Sequence, residues 1–349
     1  MRIIHIVDRF DKINFGIWNA AIFGSDYLLA TYGIESVLWH PISDFKYPLN
    51  IATYSTDFAK ISIDLLITEQ QLQPSKDIIV THGCWQFPTR LGRALQKKGF
   101  RWIYVPHGML EPWSMQHKRW KKWLYFKLVE NRLSKQANVV RAVGAAEQQN
   151  LHKVFGKSVV LVENGVKIPA TVPQKQIAPI RFLFMARLHF KKGIVPLVQA
   201  WHQVMKDQQH LQLVIAGPDE GELTAIQPFF TDNIQYVGAV YGEEKKQLLA
   251  TSHYYVLPSL SEGFPVSVLE AMSYGCIPII TEGCNFSTVF HQKLGYQIES
   301  NVASIATIFQ NILHKDFDAD LSNRNAHFIA EKYCEAFIGE QLYNLYSKL

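Results

Sequence analysis

The chain is short of sulfur, of excess charge and of long apolar runs. Its four cysteines, Cys84, Cys276, Cys284 and Cys334, are scattered, with no Cys-x-x-Cys pair and no Cys/His spacing of a zinc site. Neither a disulfide framework nor a bound metal is expected, and a reducing compartment is the simplest reading. Lys and Arg number 35 against 30 Asp and Glu, a net charge of +5, far below that of a dedicated nucleic-acid binder. Nucleic acid is therefore excluded as a partner, while anionic small molecules or an anionic membrane surface stay open. No window reaches the roughly 18 uninterrupted apolar residues of a membrane span. The opening Met-Arg-Ile-Ile-His-Ile-Val is too short and too strand-like for an export signal, with His5 where an apolar segment would run. The expected location is cytoplasmic.

What is present suffices for more than one core. At 349 residues and 48% hydrophobic composition, the chain reads as two domains on a soft scale of ~150 residues each. Short β-branched runs alternate with helical patterns. Ile3–Val7, Ser36–Trp39, Asp77–Val80, Arg101–Val105, Asn138–Arg141 and Val159–Val162 are expected strands, with helices over Ile17–Tyr32 and Thr89–Lys98 closed by Gly33 and Gly99. The alternation restarts with strands Arg181–Ala186, Leu211–Ala216, Ile234–Val237, Tyr254–Leu257 and Ile277–Thr281, and helices Ile194–Lys206, Glu243–Thr251 and Val266–Tyr274. Such alternation builds parallel sheets covered on both faces. The expected fold is α/β, two Rossmann-like doubly wound domains facing an interdomain cleft, with ligands at the carboxyl ends of strands. Residues 1–166 form the first domain. Residues 167–179, with Pro169, Pro173 and Pro179 and no apolar periodicity, form a linker. Residues 180–325 form the second domain, and within Leu321–Leu349, one long amphipathic pattern, residues 326–349 make a helix that needs a surface to cover.

The most informative segment is Pro258-Ser-Leu-Ser-Glu-Gly-Phe-Pro-Val-Ser-Val-Leu-Glu-Ala-Met-Ser-Tyr-Gly-Cys-Ile-Pro. A strand ends near Leu257, a Gly/Ser/Pro loop follows, and a helix starts near Pro265, which pre-sets its first turn. Free N–H groups at such a helix start suit a phosphate. Glu262 on the loop and Glu270 on the helix can both accept from sugar hydroxyls. The alternative is that Glu262 only offsets the helix dipole and Glu270 is a solvated helix residue.

Glu-Gly-Phe-Pro-x4-Glu-Ala-Met-x2-Gly-x-Pro closely resembles the E-x7-E pattern of the retaining glycosyltransferases of family 4, which have the GT-B fold. Met185-Ala-Arg-Leu-His-Phe-Lys-Lys-Gly193 looks like that family's Arg-x4-Lys element, Val162-Glu-Asn-Gly-Val166 like its hinge, and Pro106-His-Gly-Met-Leu-Glu-Pro-Trp113 like the acceptor segment of members that build bacterial surface polysaccharides. The resemblance implies a nucleotide-sugar donor, UDP- or GDP-linked, on the second domain and a saccharide or lipid-linked saccharide acceptor on the first. Glu270 is implied to hold ribose hydroxyls and Glu262 hydroxyls of the donor sugar. Gly263, Phe264, Pro265 and Val266 are expected to line the donor, and Val240, in Val237-Gly-Ala-Val240, to sit beside the base. It also implies that the final helix crosses back to the first domain.

The chemistry agrees, because the departing nucleoside diphosphate gains charge. Arg187 offers phosphate a planar fork and Lys192 a point charge, and together they can replace a metal. Taken alone, Arg187 also reads as a surface salt bridge. His82 and His107 each follow a strand; either they reach the cleft rim or they bond a loop carbonyl. The resemblance places His107 near the transferred sugar, with His82, Glu111 and Trp113 on the acceptor side. Family members carry a Gly-Gly pair after the first strand. Here Asp11-Lys-Ile-Asn-Phe-Gly-Ile17 has one glycine, so Gly16 either approaches the donor or belongs to a plain turn.

Trp113–Lys127 mixes tryptophans with Lys118, Arg119, Lys121, Lys122 and Lys127. It is either a basic-aromatic helix at a membrane interface or an aromatic stripe facing the core with a solvated basic face. Asp316-Phe-Asp-Ala-Asp320 mimics a metal-binding Asp-x-Asp, but Asp320 as an acidic helix start explains it more simply. The expected activity is metal-independent, cofactor-free glycosyl transfer with retention, His107, Glu262, Arg187 and Lys192 carrying the chemistry, and cleft closure assembling the site. The protein is expected in the cytoplasm, peripheral at the inner face of the membrane where its acceptor is lipid-linked. The rivals are a sugar-nucleotide epimerase of the same fold and a two-lobed binding protein.

Overall fold

The computed structural model describes residues 1–349 except Ile13, His117, Lys118, Lys157, Ser158 and Ile177, and leaves aside the side chains of Trp113, Gln116 and Arg119. The chain divides into two compact units, Met1–Gly165 with Glu335–Leu349, and Val166–Cys334. Among the described residues no helix is long and apolar enough to cross a membrane.

In the first unit, β1 (Arg2–Ile6), β2 (Glu35–Pro41), β3 (Ala52–Thr56), β4 (Asp77–His82), β5 (Arg101–Val105), β6 (Val139–Ala142) and β7 (Val159–Leu161) form an all-parallel sheet in the order β3-β2-β1-β4-β5-β6-β7. The strand order reverses between β1 and β4, so the crevice at their carboxyl ends is where a doubly wound sheet receives ligands. β4 is buried along its whole length and β1 along all but its first residue, as central parallel strands must be.

The helix expected over Ile17–Tyr32 is two helices, Phe15–Ile22 and Ser25–Tyr32. Gly24, at φ 87°, breaks them, and a side chain there would press on Leu342 Cδ1 at 3.2 Å. The element that demands this turn is the last helix, Glu335–Tyr346. Its Tyr343 ring stacks on Tyr32 with centroids 3.7 Å apart, and its Glu340 accepts hydrogen bonds from Tyr27 and Tyr32.

In the second unit, β8 (Ile180–Met185), β9 (Leu211–Ala216), β10 (Ile234–Gly238), β11 (Tyr254–Leu257), β12 (Ile277–Thr281) and β13 (Tyr296–Ile298) form a parallel sheet in the order β10-β9-β8-β11-β12-β13, reversing between β8 and β11. The amphipathic stretch expected as one helix is also broken. Ala319–Lys332 stays with this unit and only Glu335–Tyr346 joins the first, so residues 326–334 are not part of a returning helix. Tyr333 is the cause: buried at 4% exposure, it packs on Phe264, Phe286 and Phe328, and its carbonyl accepts from the Val166 N–H at 2.9 Å. Residues 167–179 hold no helix or strand among the described positions, yet they are no loose tether. Lys175 Nζ donates to the Leu249 and Ala250 carbonyls at 3.1 Å each.

Candidate active site

The loops after β8 and β11 are zipped together at the second sheet's reversal point. The β8 loop ends in a 3-10 turn, Phe190–Lys192, closed by Gly193 at φ 69°. A Cβ on Gly193 would strike the Pro258 carbonyl, so a glycine here lets the two loops touch. The Lys191 carbonyl accepts from Leu260 N–H at 2.8 Å and from Ser259 Oγ at 3.1 Å. This contact brings Lys192 Nζ to 2.5 Å from Glu262 Oε1, both side chains about 85% buried at 15% and 13% exposure. Ser259 Oγ donates to the same oxygen at 2.6 Å, Asn285 Nδ2 donates to the Glu262 carbonyl at 2.6 Å, and the Glu262 N–H donates to Gly283. Beneath it, burial and the Glu262 charge push the Cys284 thiol up to about 12, so Cys284 stays an inert thiol.

Glu270 lies on the helix Val266–Ser273, and its Oε1 pairs at 2.7 Å with Lys245 Nζ from the helix Gly242–Thr251. Arg187, immediately beyond β8, is half exposed and pairs with Glu220 at 2.8 Å. The strand pairing continues past β8 through the Leu188–Asp219 bridge, with the Glu220 N–H donating to Leu188, which sets Glu220 opposite Arg187. Arg187 thus makes the exposed salt bridge expected of it taken alone. Lys245 and Glu220 carry no motif of their own, and sequence reasoning missed them.

Around the loop, Gly263 is partly exposed and Pro265 is buried. The Val266 N–H donates to the Phe264 carbonyl at 3.0 Å. Phe264 packs its ring toward Phe286 and Tyr333 and serves the core. Val240, 8% exposed, lies just beyond β10.

In the first unit the reversal point is built from histidines. His5 of β1, His82 at the end of β4 and His107 just beyond β5 form a continuous chain. His5 Nδ1 lies 3.0 Å from His82 Nε2, and His82 Nδ1 lies 2.8 Å from His107 Nε2. Neither His82 nor His107 takes the expected loop-carbonyl alternative. His82 is fully buried, so it cannot touch an acceptor and leaves the acceptor side as a correction; His107 is half-buried. Burial, with the Arg141 charge, holds the His5 and His107 rings down to about 3, and burial with the neighbouring rings holds His82 well below its ordinary value. All three are neutral near pH 7.

His107 sits at φ 53°, a strained position for a residue other than glycine. Glu147, at the start of the helix Ala145–Phe155, holds it there by accepting from the Gly108 N–H and, at 2.8 Å, from the Val143 N–H. Burial pushes the Glu147 carboxyl up to about 7 against the pull of these two donors. Glu111 accepts from Asn150 Nδ2 of the same helix at 2.6 Å, while its Oε1 is buried with no partner among the described residues. The helix thus grips the 106–113 segment twice. Glu147 has no motif and was missed; His5 was visible only as a polar residue inside an apolar run.

The remaining expectations fall differently. Gly16 lies in the first turn of the helix Phe15–Ile22, exposed, with nothing within 4 Å of where a Cβ would stand, so the loop glycine is a helical one. The stripe over 113–127 is divided: Met115 and Phe126 pack against the core of the first unit, whereas Trp120 and Trp123 are 68% and 54% exposed. Lys121 lies over the Trp120 ring and Lys127 over the Trp123 ring, at 5.4 and 5.0 Å. Lys118 and the side chains of Trp113 and Arg119 lie outside the described residues. In the Asp-x-Asp decoy it is Asp318, not Asp320, that caps the helix Ala319–Lys332, accepting from the Leu321 N–H.

Residues 171–330 match the family model described as glycosyl transferases group 1, and residues 42–165 that of the glycosyl transferase 4-like domain. The chain is 27% identical over 227 residues, 60% of its length and 59% of the relative's, to the N,N'-diacetylbacillosaminyl-diphospho-undecaprenol alpha-1,3-N-acetylgalactosaminyltransferase of Campylobacter jejuni. It is 27% identical over 129 residues, 35% of its length and 34% of the relative's, to the GDP-mannose:cellobiosyl-diphosphopolyprenol alpha-mannosyltransferase of Xanthomonas oryzae pv. oryzae. The matches therefore span less than two thirds of these curated relatives. Among solved structures, HepE of Anabaena in complex with UDP and glucose superposes with a TM-score of 0.76 at 15% identity over 100% of both chains, a likeness of fold. Two adjoining family models, the GT-B fold and the loop pair after β8 and β11 agree: the chain belongs to the glycosyltransferases, a 4-like domain followed by a group 1 domain.

Proposed function

We propose that this protein transfers a sugar from a nucleotide-sugar donor on its second unit to an acceptor hydroxyl on its first, with retention at the anomeric carbon and without a metal ion. The observation that carries the reading is the Lys192–Glu262 pair held between the loops after β8 and β11, at the reversal point of the second sheet, with Arg187 in the same loop as Lys192. An incoming diphosphate takes over Arg187 and Lys192, whose present partners are carboxylates, so neither cation is left without an anion. The two cations then stabilise the charge that grows on the leaving group, a contribution of a few kcal/mol per well-placed donor. Glu262, released from Lys192, accepts from hydroxyls of the sugar, and Glu270 from those of the ribose. His107 stands on the acceptor side, near the transferred sugar.

A lipid-linked saccharide is the proposed acceptor. Two relatives are named for acceptors on polyprenyl diphosphates. Exposed Trp120, Trp123, Leu124 and Leu128, interleaved with Lys121, Lys122 and Lys127, suit the interface of an anionic bilayer. The test screens UDP- and GDP-linked sugars by thermal shift, then incubates the binding donor with polyprenyl-diphosphate saccharides. A raised melting point for a nucleotide sugar and a glycosylated lipid product are expected. Release of a free epimer without an acceptor product would assign the epimerase reading instead.

A further inference from the structure

The three histidines of the first unit form a closed hydrogen-bonding problem. A neutral imidazole carries one N–H and one bare nitrogen. His82 uses both of its ring nitrogens inside the chain, one toward His5 and one toward His107, so it donates in one direction and accepts from the other. Only two arrangements satisfy both contacts. In the first, His5 Nδ1–H donates to His82 and His82 Nδ1–H donates to His107, leaving a proton on His107 Nδ1. In the second, His107 Nε2–H donates to His82 and His82 Nε2–H donates to His5, leaving His107 Nδ1 bare. Every ring has the same tautomer in either arrangement, all Nδ1–H or all Nε2–H. The outward nitrogen of His107, which has no partner among the described residues, is a donor in the first and an acceptor in the second.

We propose that His5 and His82 are positioning residues that act through His107, fixing by this shared bond direction whether its outward nitrogen donates to or accepts from a substrate hydroxyl. The consequence for catalysis rests on the proposed role of His107; the tautomer lock does not. The fold supports the lock. The rings come from three adjacent strands, β1, β4 and β5, whose parallel register fixes their spacing. The rings are tilted by 34° and 33° with centroids 5.2 and 5.1 Å apart, which leaves each bond in reach and each ring short of stacking. Glu147 anchors the His107 turn from outside the chain. A free neutral histidine in water samples both tautomers, whereas here a mixed state at any ring would face two N–H groups or two lone pairs at a buried contact, at a cost of an unsatisfied polar group.

Nitrogen-15 NMR of the ring nitrogens in the full-length protein tests this directly. The expected spectrum has the same tautomer state in all three rings. His5→Phe and His82→Gln are then compared, each checked for folding by its amide spectrum. Either variant that stays folded should change the tautomer balance of His107. Unequal tautomers among the three rings of the wild type, or a His107 tautomer unchanged in a folded variant, would overturn the lock. Kinetics address the second layer: His5→Phe should lower kcat for transfer at least several-fold with the donor KM unchanged. A released tautomer with full kcat would leave the lock standing and remove His107 from the reaction.

Discussion

The two sheets reverse in the same way, yet they equip their reversal points differently. In the second unit the side chains there are charges that already have partners: Lys192 with Glu262, Lys245 with Glu270, Arg187 with Glu220. In the first unit they are rings kept neutral by burial, bonded to one another and braced by one carboxylate. Paired cations can exchange a carboxylate partner for an arriving anion. Neutral rings in a dry crevice cannot do that, but they can present a donor or acceptor whose direction is fixed in advance. On the proposed function, one topology serves two tasks: gripping a diphosphate and orienting a hydroxyl.

The largest expected effect removes the cations. Replacing Arg187 and Lys192 together with Ala should abolish the thermal shift given by nucleoside diphosphates and cut transfer by roughly 100-fold or more. Hydrogen-exchange protection of β1, β4 and β5 should stay at the wild-type level, and loss of protection there would mean that the two sites are not separable.

Next comes the brace. Glu147→Ala leaves the Gly108 and Val143 N–H groups without their partner, at about 1–3 kcal/mol each. Exchange protection should drop in the first unit, and diphosphate binding by the second should survive.

Acid should also tell the units apart. His5 and His107, held at about 3 in the fold, give stability that is complete above the free-histidine value near 6.5 and is lost as pH falls toward 3. Glu147, raised to about 7, works in the opposite sense, with stability complete below its ordinary 4.5 and lost as pH rises through 7. Of these three groups only the histidines change below pH 4.5, so β1, β4 and β5 should lose intrinsic-rate-corrected protection as the pH is lowered from there. Constant protection down to pH 3 would contradict their burial as neutral rings.

The smallest effect concerns Glu220. Because its bridge to Arg187 is largely exposed, Glu220→Ala should change stability by less than about 1 kcal/mol. It also removes a competitor for Arg187, so a nucleoside diphosphate should bind a few-fold tighter by calorimetry; weaker binding would mean that Glu220 itself serves the ligand.

The sequence made the central strands legible because burial on both faces writes them as β-branched runs; β11 and β12 are read at their full bounds. β3 was missed because Ala-Thr-Tyr-Ser-Thr, at the sheet edge and half exposed, has no apolar run to read. The two broken helices were missed for a tertiary reason. Gly24 and Tyr333 interrupt periodic patterns because Leu342 and an aromatic cluster require it, and neither requirement is local. The same holds in the sites. Glu262, Glu270, Arg187, Lys192 and His107 stand in spaced motifs, while their partners Lys245, Glu220, Glu147 and His5 come from other elements and leave only single polar residues in the chain.

The central claim is that Arg187 and Lys192 exchange their carboxylate partners for a diphosphate. Calorimetric titration of UDP and GDP into the wild type and the Lys192→Ala variant, at two salt concentrations, measures it. The account predicts salt-sensitive binding of at least one nucleotide to the wild type and at least a ten-fold loss in the variant; equal affinity in both proteins would contradict it.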